Sequence, residues 1–188
     1  MVMILKKFLD IFKSKEITKI DTLFILMMIL IFGGVFGFLY ELIFYKIDLG
    51  YFVNRGSTYG PWIPIYAYGS ILITIFLYRI KNKPILVFIL SCLLTGLIEY
   101  LTGFILNEFF DIRLWDYNNE IWNFLNINGY ICLRSVLFFG ISSMFLIYLV
   151  IPLIIKIYKK CDSIVLRIII IILTVLFFFD EIIYMILN

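Results

Sequence analysis

Five stretches of this chain, residues 23–45, 63–80, 85–110, 130–155 and 164–187, run through Leu, Ile, Phe, Val and Tyr with very few charges. Nothing else in the sequence limits the fold so tightly. A hydrocarbon core about 30 Å thick asks for roughly 20 apolar residues per crossing helix, and each stretch is near that length. In lipid the backbone must satisfy its own polar groups, which leaves helices or closed barrels. A barrel would show short alternating segments instead of long apolar runs. The expected fold is an all-α integral membrane protein with a bundle of about five transmembrane helices. Composition agrees: 64% of residues are hydrophobic and only 15% charged, where a soluble domain carries about 25% charge.

The basic residues set an orientation. Lys6, Lys7, Lys13, Lys15 and Lys19 precede the first run, and Arg79, Lys81 and Lys83 separate the second from the third. Lys156, Lys159, Lys160 and Arg167 surround the last junction. The positive-inside rule then puts the N-terminus in the cytoplasm, the C-terminus outside, and the loops around Arg55 and Arg113 on the outer face. The net charge of +3 reflects that bias, so lipid headgroups are the expected partner and nucleic acid is not.

The organisation expected is a cytoplasmic amphipathic or basic segment, 1–19, followed by a single transmembrane domain, 20–188. In "MVMILKKFLDIFKSK", Val2, Leu5, Phe8, Leu9 and Phe12 recur at helical spacing while Lys and Asp fall mostly elsewhere. That pattern fits an interfacial helix on the inner leaflet, and equally a plain basic stop before the first span. No small-residue cleavage site follows it, so a cleaved signal peptide is not expected.

Several chemistries are absent. The chain has no His, hence no imidazole base or ligand. Cys92, Cys132 and Cys161 lack metal-site spacing and read as structural. No phosphate-binding Gly loop occurs. No cofactor and no metal are expected, and the short inner junctions leave no room for a soluble catalytic domain.

What remains is polar material within the apolar runs. Glu41, Glu99, Glu108, Asp180, Glu181 and Arg134 lie in them, and each, buried unpaired, would cost at least ~2.5–3.5 kcal/mol. All but Glu99 fall towards the outer leaflet. Glu99 is about 20 Å along its helix at 1.5 Å per residue, past the midplane and still in hydrocarbon. A polar chamber in the outer half of the bundle is expected. Its carboxylates outnumber Arg55, Arg134 and the boundary residue Lys46, so either some are protonated or a cation completes the balance. The alternative is that Glu/Arg pairs only fix helix packing.

The outer segments carry the rest. In "NRGSTYGPWIPIYAYG", Gly56 and Gly60 permit close backbone approach and Pro61 and Pro64 head the next helix. Such a loop should fold back on the helices, with Arg55 pairing Glu41 or holding an anionic headgroup. Trp62, Tyr66 and Tyr68 suit an interfacial aromatic belt or a ligand contact. Glu99 and Glu108 are nine positions apart, about 180° around a helix, so they cannot share a face. Glu99 should point inward, near Tyr100 and Thr102, and Glu108 should sit at the mouth. "LWDYNNEIWNFLNINGY" fits a re-entrant or interfacial lid. The segments from Gly37 and from Gly103 can be aligned as a weak parallel repeat: Gly-Phe, a late Glu, an Asn-bearing aromatic outer segment, then Gly and an aromatic. Gly33 and Gly37 form a GxxxG that would suit a second copy or internal packing.

Taken in order, "NRGSTYGPWIPIYAYG", "EYLTG", "LWDYN" and "NINGYICLRSVLFFG" resemble the small bacterial multi-pass proteins of the "Putative ABC-transporter type IV" (CmpB-like) family, over about residues 37–140. The matching positions are Glu41, Asn54, Arg55, Gly56, Gly60, Pro61, Pro64, Tyr66 and Gly69, then Glu99, Tyr100, Gly103 and Glu108. Trp115, Asp116, Tyr117, Gly129 and Cys132 follow. Ala67, Asn118 and Phe139 depart from the pattern. The resemblance implies a permease or permease subunit in the bacterial cytoplasmic membrane, with an ATPase or another membrane subunit as partner. The short inner loops fit a small capturing or oligomerising subunit better than a conventional permease.

Three functions therefore stay open. One is a transport protein with an outward-leaflet polar site for a small charged solute, drawn from Glu41, Asn54, Arg55, Tyr66, Glu99, Tyr100, Glu108, Asp116 and Arg134. Another is an intramembrane enzyme on a lipid or lipid-linked substrate, with Glu99 or Glu108 as base. The third is a structural or regulatory membrane subunit.

Overall fold

The computed structural model describes residues 11–12, 17–53, 56–161 and 163–187. The interfacial helix considered for the N-terminal segment lies almost wholly outside the described residues, as do Asn54 and Arg55. The described residues are helical apart from loops, turns and an isolated bridge between Ile127 and Ile131. The helices are α1 (Lys19–Leu49), α2 (Pro64–Leu77), α3 (Pro84–Phe110), α4 (Leu133–Phe145), α5 (Ile151–Lys160) and α6 (Ile164–Leu187).

Among the described residues, four helical stretches are long and apolar enough to cross a membrane: α1, α3, α6 and the run Leu133–Lys160 that joins α4 to α5. The expected second span is shorter. It is α2 plus one tighter turn, Tyr78–Ile80, and reaches only about 25 Å at 1.5 Å per residue, less than a full hydrocarbon core. The fourth run starts at Leu133, not at residue 130, because the preceding residues close on themselves. Ile127 N–H donates to the Ile131 carbonyl at 2.9 Å and Tyr130 N–H to the Ile127 carbonyl at 3.0 Å. Between α4 and α5 the helix widens to a π turn, Leu146–Val150. Pro152 follows at once, and its missing N–H cannot serve the carbonyl four residues back.

The chain divides into two compact units, Met1–Arg79 with Leu149–Asn188, and Ile80–Tyr148. In the first, α1 opens on a capping box: Asp21 N–H donates to Thr18 Oγ1 and Thr18 N–H to Asp21 Oδ2. Asp21 also accepts from Tyr158 Oη at 2.9 Å and Arg167 Nη2 at 3.1 Å, which pins α5 and α6 to the start of α1. The GxxxG face of α1 is filled from within the chain. A side chain at Gly33 would overlap Ser70, and one at Gly37 would overlap the ring of Tyr66. A homo-oligomer through those glycines is therefore not what this packing offers; their faces are already occupied by α2. Ile63 N–H reaches the Gly34 carbonyl at 3.0 Å, and Leu30, Trp62, Ala67 and Phe177 close the core around that contact.

In the second unit three glycines let α3 close on α4 and on the residues that precede it. Gly96 faces Ile131 and Val136, Gly103 faces Trp115 and Tyr130, and Gly140 faces Cys92 and Phe88. Small residues let two helices approach where no water drives them together. Within each unit, then, a glycine of the first helix (Gly37, Gly103) receives the tyrosine that precedes or opens the next (Tyr66, Tyr130). The three cysteines differ: Cys132 is buried, Cys92 half-buried, and Cys161, read as structural, is exposed.

Candidate functional site

The unit Ile80–Tyr148 gathers the polar residues that matter most. Glu99 lies mid-way along α3, only 4% exposed. The segment after α3 folds back to reach it. Ile112 N–H caps the helix by bonding the Leu106 carbonyl at 3.0 Å, and Asp111 takes a left-handed turn. Arg113 then bonds Asp116 and the Asn128 carbonyl, both at 2.9 Å. Asp116 Oδ1 accepts from the backbone and side chain of Asn118, and Gly129 N–H donates to Asn126 at 2.8 Å. Gly129 has φ +76°, and a side chain there would run into Arg113, Asp116 and Asn118. No other residue type fits both constraints. The Gly129 carbonyl in turn holds Tyr117 N–H at 3.0 Å.

This scaffold aims Tyr117 at Glu99. Tyr117 Oη donates to Glu99 Oε1, and Ser135 Oγ donates to Oε2 at 2.8 Å. Arg134, next to Ser135 in the first turn of α4, bonds Glu120 Oε2 and lies 5.2 Å over the Tyr117 ring. Both members of that ion pair are largely enclosed, with side chains 14% and 7% exposed. An ion pair so placed is costly to break, because either partner alone would be a buried charge. Burial of the Tyr117 hydroxyl and the neighbouring Glu99 and Glu120 carboxylates hold its phenol well above the usual range, so it stays a donor.

The expected chamber residues divide as follows. Glu99 and Arg134 share this cluster. Glu108 is exposed and accepts from Tyr130 Oη at 3.2 Å and from Asn107. Asp116 organises the loop. Tyr100 stacks on Phe104 and meets Tyr130 edge-on, so it is a packing residue, and the donors to Glu99 come instead from Tyr117 and Ser135. Glu41 and Tyr66 belong to the other unit, where Tyr66 covers Gly37 and tilts against Tyr40. The pairing expected between Arg55 and Glu41 lies outside the described residues.

The loop around Gly60 has its own anchor. Asp180 of α6 accepts from Tyr59 N–H at 3.0 Å, Gly60 N–H at 2.8 Å and Trp62 Nε1 at 2.7 Å. Trp62 is therefore buried with its indole N–H spent inside the protein, and Tyr68 donates to Glu181. The fold-back expected for this loop is present in its described residues, and Asp180 serves it.

Sequence reasoning missed Ser135, Glu120 and the hydroxyl role of Tyr117 in this cluster, and missed Asp21. Thr18 and Asp21 at capping-box spacing were a readable signal. Ser135 carried none, since a serine in an apolar helix reads as packing.

These long apolar helices, with Leu, Ile and Phe exposed along their outer faces, define a multi-pass all-α membrane protein. Residues 5–185 match the family described as "Putative ABC-transporter type IV", and the chain belongs to that family. It is thereby a transport-related membrane protein. No curated protein and no solved structure matches it.

Proposed function

We propose that the protein is a permease or permease subunit of the bacterial cytoplasmic membrane, with its N-terminus inside and its C-terminus outside. The polar end of the α3–α4 hairpin handles a small charged solute. The observation that carries this reading is Glu99, buried in an apolar span yet met by two hydroxyls, beside the enclosed Arg134–Glu120 pair. Ionisable groups cost too much in hydrocarbon to be neutral bystanders. Family membership supports the transport class and an ATPase or other membrane subunit as partner; the basic inner junctions support the orientation.

The test is thermal unfolding of the purified chain in lipid nanodiscs against classes of charged solute: amino acids, polyamines and inorganic anions. One class should raise Tm by about 5 °C near saturation, and lose that effect in E99Q and E120Q. A wild-type Tm that no class moves, or a shift that survives both variants, would sink the proposal.

A second reading is favoured by Asp180. With three donors from one loop, it acts as a clasp, which is what a structural or regulatory subunit would use its acids for. The same titration separates the readings, since a scaffold has no solute that stabilises it through Glu99.

A further inference from the structure

The donors around Glu99 differ in kind from those around the half-buried Asp180 and the buried Asp21. Asp180 is held by two backbone N–H groups and an indole N–H, and Asp21 by a backbone N–H and a guanidinium besides two hydroxyls. Such N–H groups can only donate. The donors to Glu99, Tyr117 Oη and Ser135 Oγ, are hydroxyls, which can also accept.

Ser135 has a second place for its hydrogen. Its Oγ is 2.8 Å from Glu99 Oε2 and 2.9 Å from the Cys132 carbonyl, and it accepts from Cys132 N–H at 3.3 Å. With Glu99 ionised, the Ser135 hydrogen points to Oε2. The Cys132 carbonyl then still holds Val136 N–H at 3.2 Å, so nothing is orphaned. With a proton on Oε2, Glu99 donates to Ser135 Oγ and the Ser135 hydrogen turns to the Cys132 carbonyl. Tyr117 donates to Oε1 in both states. The Glu99 carboxyl, the Tyr117 and Ser135 hydroxyls and the Cys132 N–H and carbonyl are all paired either way, through one hydroxyl rotation and no movement of a helix.

We propose that Glu99 is a reversible proton-binding site, with Ser135 as the hydroxyl that switches partner as the proton arrives and leaves. The balance is one proton taken from the aqueous phase onto Oε2 and returned to it, with no bond between heavy atoms made or broken. The charged groups that face Glu99 are Arg134 at the head of α4 and Glu120 in the loop, with Tyr117 and, beyond it, the Cys132 thiol. Arg134 is engaged by Glu120, so ionised Glu99 adds a negative charge to a buried cluster and protonation removes it. The proposal rests on the transport reading above and names its coupling ion.

The experiment is infrared difference spectroscopy of the full chain in lipid nanodiscs, titrated from about pH 5 to about pH 9, a range that covers carboxyls shifted by burial. The wild type should show one carboxylic C=O band that vanishes on the alkaline side, shifts in D2O, and is missing from E99Q. S135A should keep the band and displace its titration by about one pH unit, the scale of one hydrogen bond to a charged group. A wild-type band that does not change across the range, or one that persists in E99Q, overturns the proposal. So does an unaltered titration in S135A, which carries the test should E99Q fail to fold. A solute response in Tm without a titrating band sinks the proton site alone; a titrating band without any solute response sinks the solute reading alone.

Discussion

Ser135 Oγ donates to Glu99 Oε2 at 2.8 Å across 36 positions of sequence, tying the first turn of α4 to the middle of α3. On the other side of the same carboxyl, Tyr117 ties in the loop. Y117F and S135A should each lower stability by about 1–3 kcal/mol, the cost of leaving one side of a buried acceptor unpaired. The double variant should fall short of the sum, since both act on one group. Unfolding curves in nanodiscs for the two singles and the double check this; full additivity would mean the two donors do not share Glu99.

Gly129 is fixed by backbone and by space together. G129A should destabilise the loop by about 2 kcal/mol or more, because alanine resists φ > 0 and its methyl group meets Arg113, Asp116 and Asn118. Hydrogen exchange should show the loss at Tyr117 N–H, which the Gly129 carbonyl holds. Unchanged protection there would refute the role given to Gly129.

Asp180 closes the loop around Gly60 with one carboxylate. D180A should expose the Tyr59 and Gly60 amides to exchange and shift Trp62 emission to longer wavelength, since its indole N–H loses its partner. Wild-type protection and emission in D180A would show that packing alone holds the loop.

The Gly37 face accepts the Tyr66 ring. G37V should lower stability by about 1–3 kcal/mol through overpacking while leaving the oligomeric state as it was. If the measured mass in solution falls by half in G37V with stability unchanged, the glycine face serves a second copy after all.

Orientation can be read from a native thiol. Cys161 is exposed and follows Lys159 and Lys160, a stretch that the positive-inside rule assigns to the cytoplasm. A membrane-impermeant maleimide should label it in inside-out vesicles and not in intact cells. Labelling in intact cells would invert the topology.

The helices were legible because backbone solvation in lipid is a local problem. A run of apolar residues must satisfy its own N–H and C=O groups, and Pro64 and Pro84 mark where two such runs begin. The ends were less legible. Residues 130–132 looked like more of the fourth helix until the Ile127–Ile131 turn claimed them, and the π turn before Pro152 depends on how the helix accommodates a missing donor. Of the site, Glu99, Glu108 and Arg134 stood out by their solvation cost.

By itself the sequence determined the solvent, the secondary structure and which groups are too polar to be left alone, because each follows from transfer free energies of single residues and short runs. Only the tertiary structure decided who meets whom. Glu99 found Tyr117 and Ser135, not Tyr100 or Thr102 beside it. Asp180 found the backbone of a loop more than a hundred positions away. Those pairings depend on where folded segments bring their donors, and a hydroxyl or a backbone N–H leaves no mark in composition that says which carboxylate it will reach.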